Sequence, residues 1–378
     1  MNIRTITFGI ELDPTKMEKQ IEQIGKKAQT AKKWFEQHGY QVQTIRFSTQ
    51  PWEQFVSTKK DLVSISKKIQ YLSTKNHIDY FSIGPTSNAS HLCWLVEVLK
   101  ETSTGFCTSN IITKNRIDFE LCWESARIIQ QISTLESQGF ANLRFAALFQ
   151  ISACTPFYPA SFHQGPASFG IGLENSDLVY NAFQQAKKIS NASTELRKLL
   201  QKEYHQIDQL AESLGKKINL SYAGLDTSIC SSVHQEESIA YAFEQIMHSP
   251  FGSAGTLCVA KLITEELHKL SITKTGYNGL MLPVLEDYGL AKRNKEHRFN
   301  IANLLLYSSV CGTGLDTIPL PGDTTIDQIN RILLDIGSLS IKLDKPLSAR
   351  LMPIPSKKPG DKTEFDFDYF VNTTVMNP

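Results

Sequence analysis

A short motif occurs twice in the second half of the chain, and each copy carries an aspartate. Gly224-Leu-Asp-Thr227 and Gly314-Leu-Asp-Thr317 both follow small or apolar residues and both precede a predicted helix. The carboxyl ends of parallel strands form the site in α/β folds. We therefore expect Asp226 and Asp316 to face one cavity, with Cys311 nearby, and to act there as catalytic acids or bases. The alternative is structural, because an aspartate in a turn also bonds its own backbone.

Two further acids follow an apolar run at residues 279–285. Glu286 is a candidate catalytic carboxylate, and the adjacent Asp287 is a candidate metal ligand. Because Mg²⁺ and Ca²⁺ prefer oxygen ligands, Asp226, Asp316 and Asp287 together are the candidate site for a divalent cation. The alternative is that the acidic pair only begins a solvated helix.

A thiol and an imidazole are the candidate nucleophile and the candidate proton carrier. Cys311 lies in Val-Cys-Gly-Thr-Gly, where small neighbours leave the sulfur approachable, and His163 lies in the aromatic loop sequence FYPASFHQG. A nucleophilic thiol needs a helix N-terminus, a cation or a base to lower its pKa, and the spacing identifies no base. Cys311 as an inert buried thiol and His163 as a solvated loop residue are the alternatives.

Two features predict binding of an anion. Ser253, Gly255 and Thr256 lie in a turn of small residues before a predicted helix, where unpaired backbone N–H groups bind anions. The alternative for Ser253 is a helix N-cap. Arg350 lies in an apolar, strand-like segment, so its guanidinium must be paired or face a cavity. It is predicted either to bind a substrate carboxylate or to form a structural ion pair.

The elements that would position these residues alternate between strands, with an apolar period of about two, and helices, with a period of about 3.6. Strands are predicted at residues 3–10, 40–47, 78–83, 106–112 and 143–151, with helices between them. This alternation indicates βαβ units and a mainly parallel sheet. A long helix is predicted at 175–214, and capping boxes at Thr325 and Ser232 are predicted to open two more. Residues 366–378 are either a final strand or a packed tail.

Composition narrows the class of protein. The 378 residues carry 39 Lys and Arg against 38 Asp and Glu, so no basic excess indicates nucleic-acid binding. Seven cysteines without a C-x-x-C pair indicate reduced thiols in a cytoplasmic protein. The N-terminus does not resemble a signal peptide, and apolar runs are far shorter than a membrane span. No linker is recognisable, so residues 1–378 are expected to form a single domain. A homo-oligomer is compatible with this sequence.

Several long motifs resemble the bacterial family of domain of unknown function 711. They are GLDTS at 224–228, FGSAGTL at 251–257, GYNGLMLPVLED at 276–287, VCGTGLDTIPLPGD at 310–323 and KPLSARLMPIP at 345–355, with NIRTITFGI and FYPASFHQG earlier. The resemblance implies an α/β fold: a single large ten-stranded barrel of two parallel five-stranded halves with outer helices, as in glycyl-radical enzymes of the pyruvate formate-lyase type. It implies no particular reaction.

The chain departs from the radical enzymes near its C-terminus. Its only late glycine, Gly360, has no arginine or aromatic partner in the required place. We therefore predict that no glycyl radical forms. The predicted function is an enzyme that acts on a small anionic metabolite by acid/base chemistry, with a divalent cation (Mg²⁺ or Ca²⁺) as the candidate cofactor. The alternative is a non-catalytic metabolite-binding or regulatory protein.

Overall fold

Strands and helices alternate along most of the chain. The computed structural model describes all residues, 1–378. The strands are β1 (Asn2–Ile10), β2 (Val42–Thr49), β3 (Tyr80–Thr86), β4 (Gly105–Asn110), β5 (Ile112–Thr113), β6 (Arg116–Ile117), β7 (Phe145–Phe149), β8 (Ser168–Glu174), β9 (Ser221–Asp226), β10 (Gly314–Pro321) and β11 (Leu347–Ile354). The helices are α1 (Met17–Gln37), α2 (Lys59–Lys75), α3 (Leu92–Glu101), α4 (Phe119–Ile132), α5 (Ser176–Ala186), α6 (Ile189–Ile218), α7 (Ile239–Met247), α8 (Thr256–His268), α9 (Tyr288–Lys295), α10 (Ile301–Ser308) and α11 (Ile326–Leu343).

Nine strands form one large sheet in the order β10-β11-β7-β4-β3-β2-β1-β8-β9. The five strands from β7 to β1 in this order are mutually parallel. At either end of that group the direction reverses, because β8 pairs antiparallel with β1 and β11 pairs antiparallel with β7. The predicted α/β class and mainly parallel sheet are therefore confirmed, with two halves that run in opposite directions.

The sheet has nine regular strands rather than the expected ten. A bridging segment, residues 274–283, lies between the two edge strands β9 and β10. Isolated backbone bridges join it to both sides: Leu225 with Lys274, Ile229 with Leu280, and Pro283 with Asp316. Two residues with positive φ, Gly276 and Asn278, and the missing N–H of Pro283 interrupt a regular ladder here.

Helix boundaries follow the capping residues. The capping box at Thr325 opens α11 as predicted, with both of its hydrogen bonds formed to Gln328. The second predicted box is wrong, because α7 begins later and is capped by Ser238 instead. The predicted long helix is two helices, α5 and α6, which are separated by Lys187 in a left-handed conformation. No helix combines the length and the apolar character that crossing a membrane requires.

The chain after β11 is a packed tail without a regular strand. Its backbone bridges itself between Lys362 and Thr374, and Val371 donates a 2.7 Å hydrogen bond to the carbonyl of Leu285. Phe370 packs at the centre of an aromatic cluster with three other phenylalanines: Phe140, Phe365 and Phe367. The tail is thereby fixed against the residues that precede Glu286.

Candidate functional site

Both halves of the sheet contribute side chains to one internal cavity of about 450 Å³, which we call the central cavity. Strand alternation places residues two apart on the same face, so Thr44 and Arg46 of β2 both face it, as do Ser348 and Arg350 of β11. Its volume lies within the ~300–1,000 Å³ typical of small-molecule sites. The second half of the chain therefore does not form this site alone.

The lining of the central cavity combines an apolar wall with a band of charged residues. Phe106, Phe157 and Met281 belong to the apolar wall, and Phe367 and Tyr369 of the tail complete the lining. The charged residues are four arginines and three carboxylates: Arg4, Arg46, Arg144, Arg350, Glu136, Glu286 and Asp316. Charged groups placed beside an apolar wall in this way can orient one small ligand.

Arg350 is held by two of these carboxylates. Its Nε donates to Asp316 Oδ1 at 2.6 Å, and its Nη2 donates to Glu286 Oε1 at 2.6 Å. Burial opposes its charge, but the two carboxylates outweigh burial and raise the pKa of Arg350 above its ordinary value. Of the two roles predicted for this residue, the ion pair is formed; Arg350 also faces the central cavity, and its binding of a substrate carboxylate stays a prediction.

Two other arginines are also compensated. Arg4 contacts Glu174 at 2.9 Å and Glu286 at 3.4 Å, so Glu286 lies between two guanidinium groups. The Tyr369 ring covers Arg4, with 5.2 Å between the guanidinium carbon and the ring centroid. Arg144 contacts Glu136 at 2.6 Å and also donates to backbone carbonyls.

Arg46 is the exception, because it forms no ion pair. Its Nε donates to Thr44 Oγ1 at 3.0 Å, and its guanidinium lies over the rings of Tyr158 and Tyr80 at 5.0 and 6.0 Å. Burial, followed by repulsion from Arg4, lowers the pKa of Arg46 to about 10. The group is still cationic at neutral pH. Arg46 is therefore the uncompensated charge of the central cavity.

Neutral proton donors complete the lining. Tyr277 donates its hydroxyl hydrogen to Ser348 Oγ at 2.8 Å, and Ser348 Oγ lies 3.3 Å from the carbonyl of Thr313. Burial raises the pKa of Tyr277 and raises that of the Cys230 thiol to about 12. Both groups therefore keep their protons at neutral pH.

The expectation that Asp226 and Asp316 share a cavity is wrong. Asp316 lines the central cavity, but Asp226 is fully buried outside its lining. The Asp226 carboxylate accepts hydrogen bonds from Ser228 N and Oγ and from the backbone N–H groups of Tyr277 and Asn278. The physical reason is placement: Asp226 ends β9, whereas Asp316 lies near the beginning of β10.

The proposed cation site of three aspartates is also wrong. Asp287 is buried as the N-cap of α9, and its carboxylate accepts from Leu290 N, Ser238 Oγ and Ile239 N. Since Asp226 holds a loop and Asp316 is bonded to Arg350, the three carboxylates do not converge on a point where a cation would sit. No group of three metal-ligating side chains occurs in the structure.

Cys311 and His163 do not lie on the wall of the central cavity. Cys311 is buried in the hydrophobic core, where burial raises the pKa of its thiol. Its carbonyl accepts a hydrogen bond from Lys345 Nζ. His163 is also buried, so neither a cavity base nor a solvated residue describes it. The thiol that does line the cavity is Cys230.

The predicted anion cradle at the start of α8 is closed by its own hydrogen bonds. Ser253 N donates to the carbonyl of Pro250, and Thr256 N donates to that of Ser253. Gly252 N donates to Thr256 Oγ1. Gly255 is the N-cap and has a positive φ, but it does not line the central cavity. Ser253, Gly255 and Thr256 therefore form a tight turn rather than an anion site.

A sequence profile of the family described as Uncharacterised ACR (DUF711) matches residues 1–366. The chain belongs to this family. Its curated relatives carry the name UPF0210 protein and occur in archaea as well as bacteria, so the family is wider than the bacterial one expected. The relative from Pyrobaculum aerophilum is 26% identical and aligns over 96% of this chain and 87% of its own. The relative from Oenococcus oeni is 24% identical, over 96% and 88%.

Solved structures give partial likenesses to this DUF711 chain. The anaerobic ribonucleotide reductase from Thermotoga maritima in complex with dATP and CTP aligns over 98% of this chain and 79% of its own, with a TM-score of 0.43 and 7% identity. Another anaerobic ribonucleotide reductase aligns over 92% and 70%, with a TM-score of 0.42 and 8% identity.

Sequence reasoning found part of the DUF711 cavity and missed the rest. It identified Glu286, Asp316 and Arg350, all of which face the central cavity. It missed Arg4 and Arg46, although both lie in segments predicted as strands. The argument applied to Arg350, that an arginine in a buried strand must be paired or face a cavity, would have identified both.

Proposed function

We propose that this protein is an enzyme that binds a small anionic metabolite in the central cavity and transforms it by acid/base chemistry. The observation that carries the proposal is the uncompensated guanidinium of Arg46. Holding an unpaired charge partly out of water is costly, so a cavity that retains one is suited to a ligand of opposite charge. A carboxylate or phosphate bound by Arg46 would also relieve its repulsion from Arg4.

The other lining residues support a division of roles. Arg46 donates hydrogen bonds to two oxygens of the anion with its planar fork, and the rings of Tyr80 and Tyr158 limit where the anion lies. Glu286 and Asp316 are the candidate bases, and Arg350 fixes both carboxylates through its two short hydrogen bonds. The hydroxyl pair of Tyr277 and Ser348 is the candidate proton donor. Their positions around one cavity favour proton transfer to and from a bound ligand.

A specific observation favours a second candidate, a binding protein without catalysis. Every carboxylate that lines the central cavity already forms an ion pair with an arginine, so none of them is free to act on a ligand without breaking or sharing that contact. In that case Glu286 and Asp316 only position Arg350, and the ligand leaves unchanged.

We further propose that the bridging segment takes the place of an irregular tenth strand and so closes the sheet into a barrel. The isolated bridges from this segment to β9 and to β10 support closure.

We also propose that the protein is cytoplasmic. Its seven free thiols support a reducing location.

The first experiment measures anion binding. A panel of small carboxylates and phosphorylated metabolites is screened by thermal shift. Hits are titrated by calorimetry against wild type, Arg46→Met and the matched variant Arg331→Met, whose arginine is exposed on the surface of α11. A charge-assisted hydrogen bond contributes ~1.5–3 kcal/mol, so Arg46→Met should lose about 10- to 150-fold in affinity. Arg331→Met should bind as wild type does. Equal affinity for all three proteins would refute the anion site.

The second experiment separates the two candidate functions. Each hit is incubated with wild type and with Glu286→Gln, and the mixture is followed by NMR for new products. An enzyme should convert a hit, and Glu286→Gln should still bind it while conversion falls by ~10²-fold or more. If wild type binds a hit with high affinity but converts none of the panel, the binding protein is the better description.

A further inference from the structure

A second cluster of reactive side chains lies outside the central cavity. The Sγ of Cys154 is 3.7 Å from His163 Nδ1 and 3.6 Å from Ser168 Oγ. None of these three residues lines the central cavity. Cys154 is half-buried, whereas His163 and Ser168 are buried. This arrangement is independent of the proposed function.

The fold fixes the cluster closely. Cys154 N donates to the carbonyl of Phe162 at 2.8 Å, and His163 N donates to that of Thr49 at 2.9 Å, so both ends of the connecting loop are tied. The imidazole packs directly on Gly9 of β1, where an added Cβ would lie 2.2 Å from Nδ1. Any residue other than glycine there would displace the ring.

The hydrogen bonds of the His163 imidazole determine which of its two nitrogens can exchange a proton with the Cys154 thiol. His163 Nε2 lies 2.9 Å from the carbonyl oxygen of Gly165, and because a carbonyl only accepts, Nε2 must carry a proton. Nδ1 is therefore the nitrogen that exchanges a proton with Cys154. Either the thiol donates to neutral Nδ1, or the imidazolium donates to the thiolate. Cys154 is thus placed as a nucleophile, His163 as its base, and the Gly165 carbonyl as the group that orients the base.

The surroundings stabilise the charged state of the sulfur. The hydrogen bond from His163 outweighs burial and, together with Ser168 and the Gln164 N–H, lowers the pKa of Cys154. The cysteines that are fully buried behave in the opposite way, since burial raises the pKa of Cys107, Cys122 and Cys230 to about 12.

We propose that Cys154, with His163 as its base, is a nucleophilic cysteine that forms mixed disulfides with small disulfide molecules. The proton of the thiol passes to His163 Nδ1, and the thiolate attacks one sulfur of the incoming disulfide. One S–S bond forms as the other breaks, and the departing thiolate takes the proton from the imidazolium. The loop that carries this cysteine also carries Phe157 and Tyr158 of the central cavity, so modification would occur beside the proposed ligand site.

The experiment compares cysteines within one native protein. Wild-type protein at about pH 7 is treated with glutathione disulfide or with iodoacetamide, and modification of each cysteine is followed over time by peptide mass spectrometry. An ordinary thiol is only ~3% ionised at this pH. Cys154 should therefore react at least about fivefold faster than the exposed Cys258, although Cys154 is less accessible. Equal or faster modification of Cys258 would overturn the proposal.

Two variants assign the effect to the base. His163→Ala should slow modification of Cys154 at least about fivefold and leave Cys258 unchanged. Ser168→Ala removes only a hydroxyl and should slow it by less, with the fold preserved by circular dichroism. If His163→Ala is folded and Cys154 reacts as in wild type, His163 is not its base and the proposal fails. If His163→Ala does not fold, the comparison with Cys258 in wild type decides.

Discussion

Two kinds of carboxylate can be compared in this molecule. Asp226 and Asp287 accept hydrogen bonds from backbone and hydroxyl donors and contact no cation. Asp316 and Glu286 face the central cavity and bond to Arg350. The contrast is sharp because Asp226 and Asp316 share the same tetrapeptide, and Glu286 and Asp287 are adjacent. Local sequence alone therefore does not decide whether a carboxylate holds the fold or faces the ligand.

The position of each residue within its strand decides instead. In β9 the tetrapeptide ends the strand, so Asp226 turns back onto the bridging segment and holds its backbone. In β10 the tetrapeptide begins the strand, and Asp316 meets Arg350 on the neighbouring β11. A carboxylate that holds a loop should matter for stability, and one that faces the cavity should matter for the ligand.

The largest effect is expected for Asp226→Ala. Removing this carboxylate leaves buried donors of Ser228, Tyr277 and Asn278 without an acceptor. The free energy of unfolding, measured by urea denaturation, should fall by about 3–5 kcal/mol. Asp226→Asn retains one acceptor oxygen and should lose less. A loss under ~1 kcal/mol for Asp226→Ala would show that this aspartate does not hold the bridging segment.

The next largest effect is a pH dependence of the stability contributed by Asp287. Burial raises the pKa of Asp287 from 3.8 to about 6, although its hydrogen bonds oppose the shift. A raised folded-state pKa contributes stability below pH 3.8 that is lost as the pH rises through about 6. The stability of wild type relative to Asp287→Asn should therefore fall by about 3 kcal/mol across this window. A difference that is constant with pH would mean that the carboxyl does not titrate there.

A smaller change in stability is expected for Asp316→Asn. The partner of the Asp316 carboxylate is the cation Arg350, so neutralising Asp316 should lower stability rather than raise it. Since Arg350 keeps Glu286 and the pair is partly accessible, the loss should be about 1 kcal/mol.

Ligand measurements on the same variant test its role in the cavity. Removing one negative charge should leave anion affinity unchanged or tighten it, while conversion of a substrate is lost. Calorimetry and product analysis on one preparation would separate these effects. A loss of several kcal/mol in stability would instead place Asp316 with the aspartates that hold the fold.

The smallest loss of stability is expected when an ordinary helix cap at the surface is removed. Thr325 caps α11 at the surface, through an exposed capping box with Gln328. Thr325→Ala should lower the free energy of unfolding by about 1 kcal/mol or less, without a change in anion affinity. Thermal and urea denaturation of the two proteins would measure it. An effect as large as that of Asp226→Ala would remove the distinction between buried and exposed caps.

Periodicity predicted the framework well and the site only in part. The strands around Phe8, Phe47 and Phe81 and the cap at Thr325 follow from short-range patterns, because burial of one face and capping are local effects. The bridging segment and the break at Lys187 depend on positive φ angles, which single residues reveal poorly.

The partners in the cavity depend on how the chain returns on itself. Arg4 and Glu286 meet only because β1 lies beside β8 and the bridging segment lies beside β10. The spacing of residues along the sequence does not reveal such a long-range contact. The Cys154–His163 contact was missed for the same reason, since Gly9 of a distant strand leaves the space for the ring.

The position of Tyr369 over Arg4 has a consequence for how a ligand would affect the whole chain. These two residues are far apart in the sequence, yet both line the central cavity together with Arg46 and Arg350. A molecule that contacts them acts as a reversible, non-covalent cross-link, because it joins segments that separate when the chain unfolds. Its binding free energy would therefore resist global unfolding as well as local opening of the tail, and the bound protein should become resistant to proteolysis along its whole length.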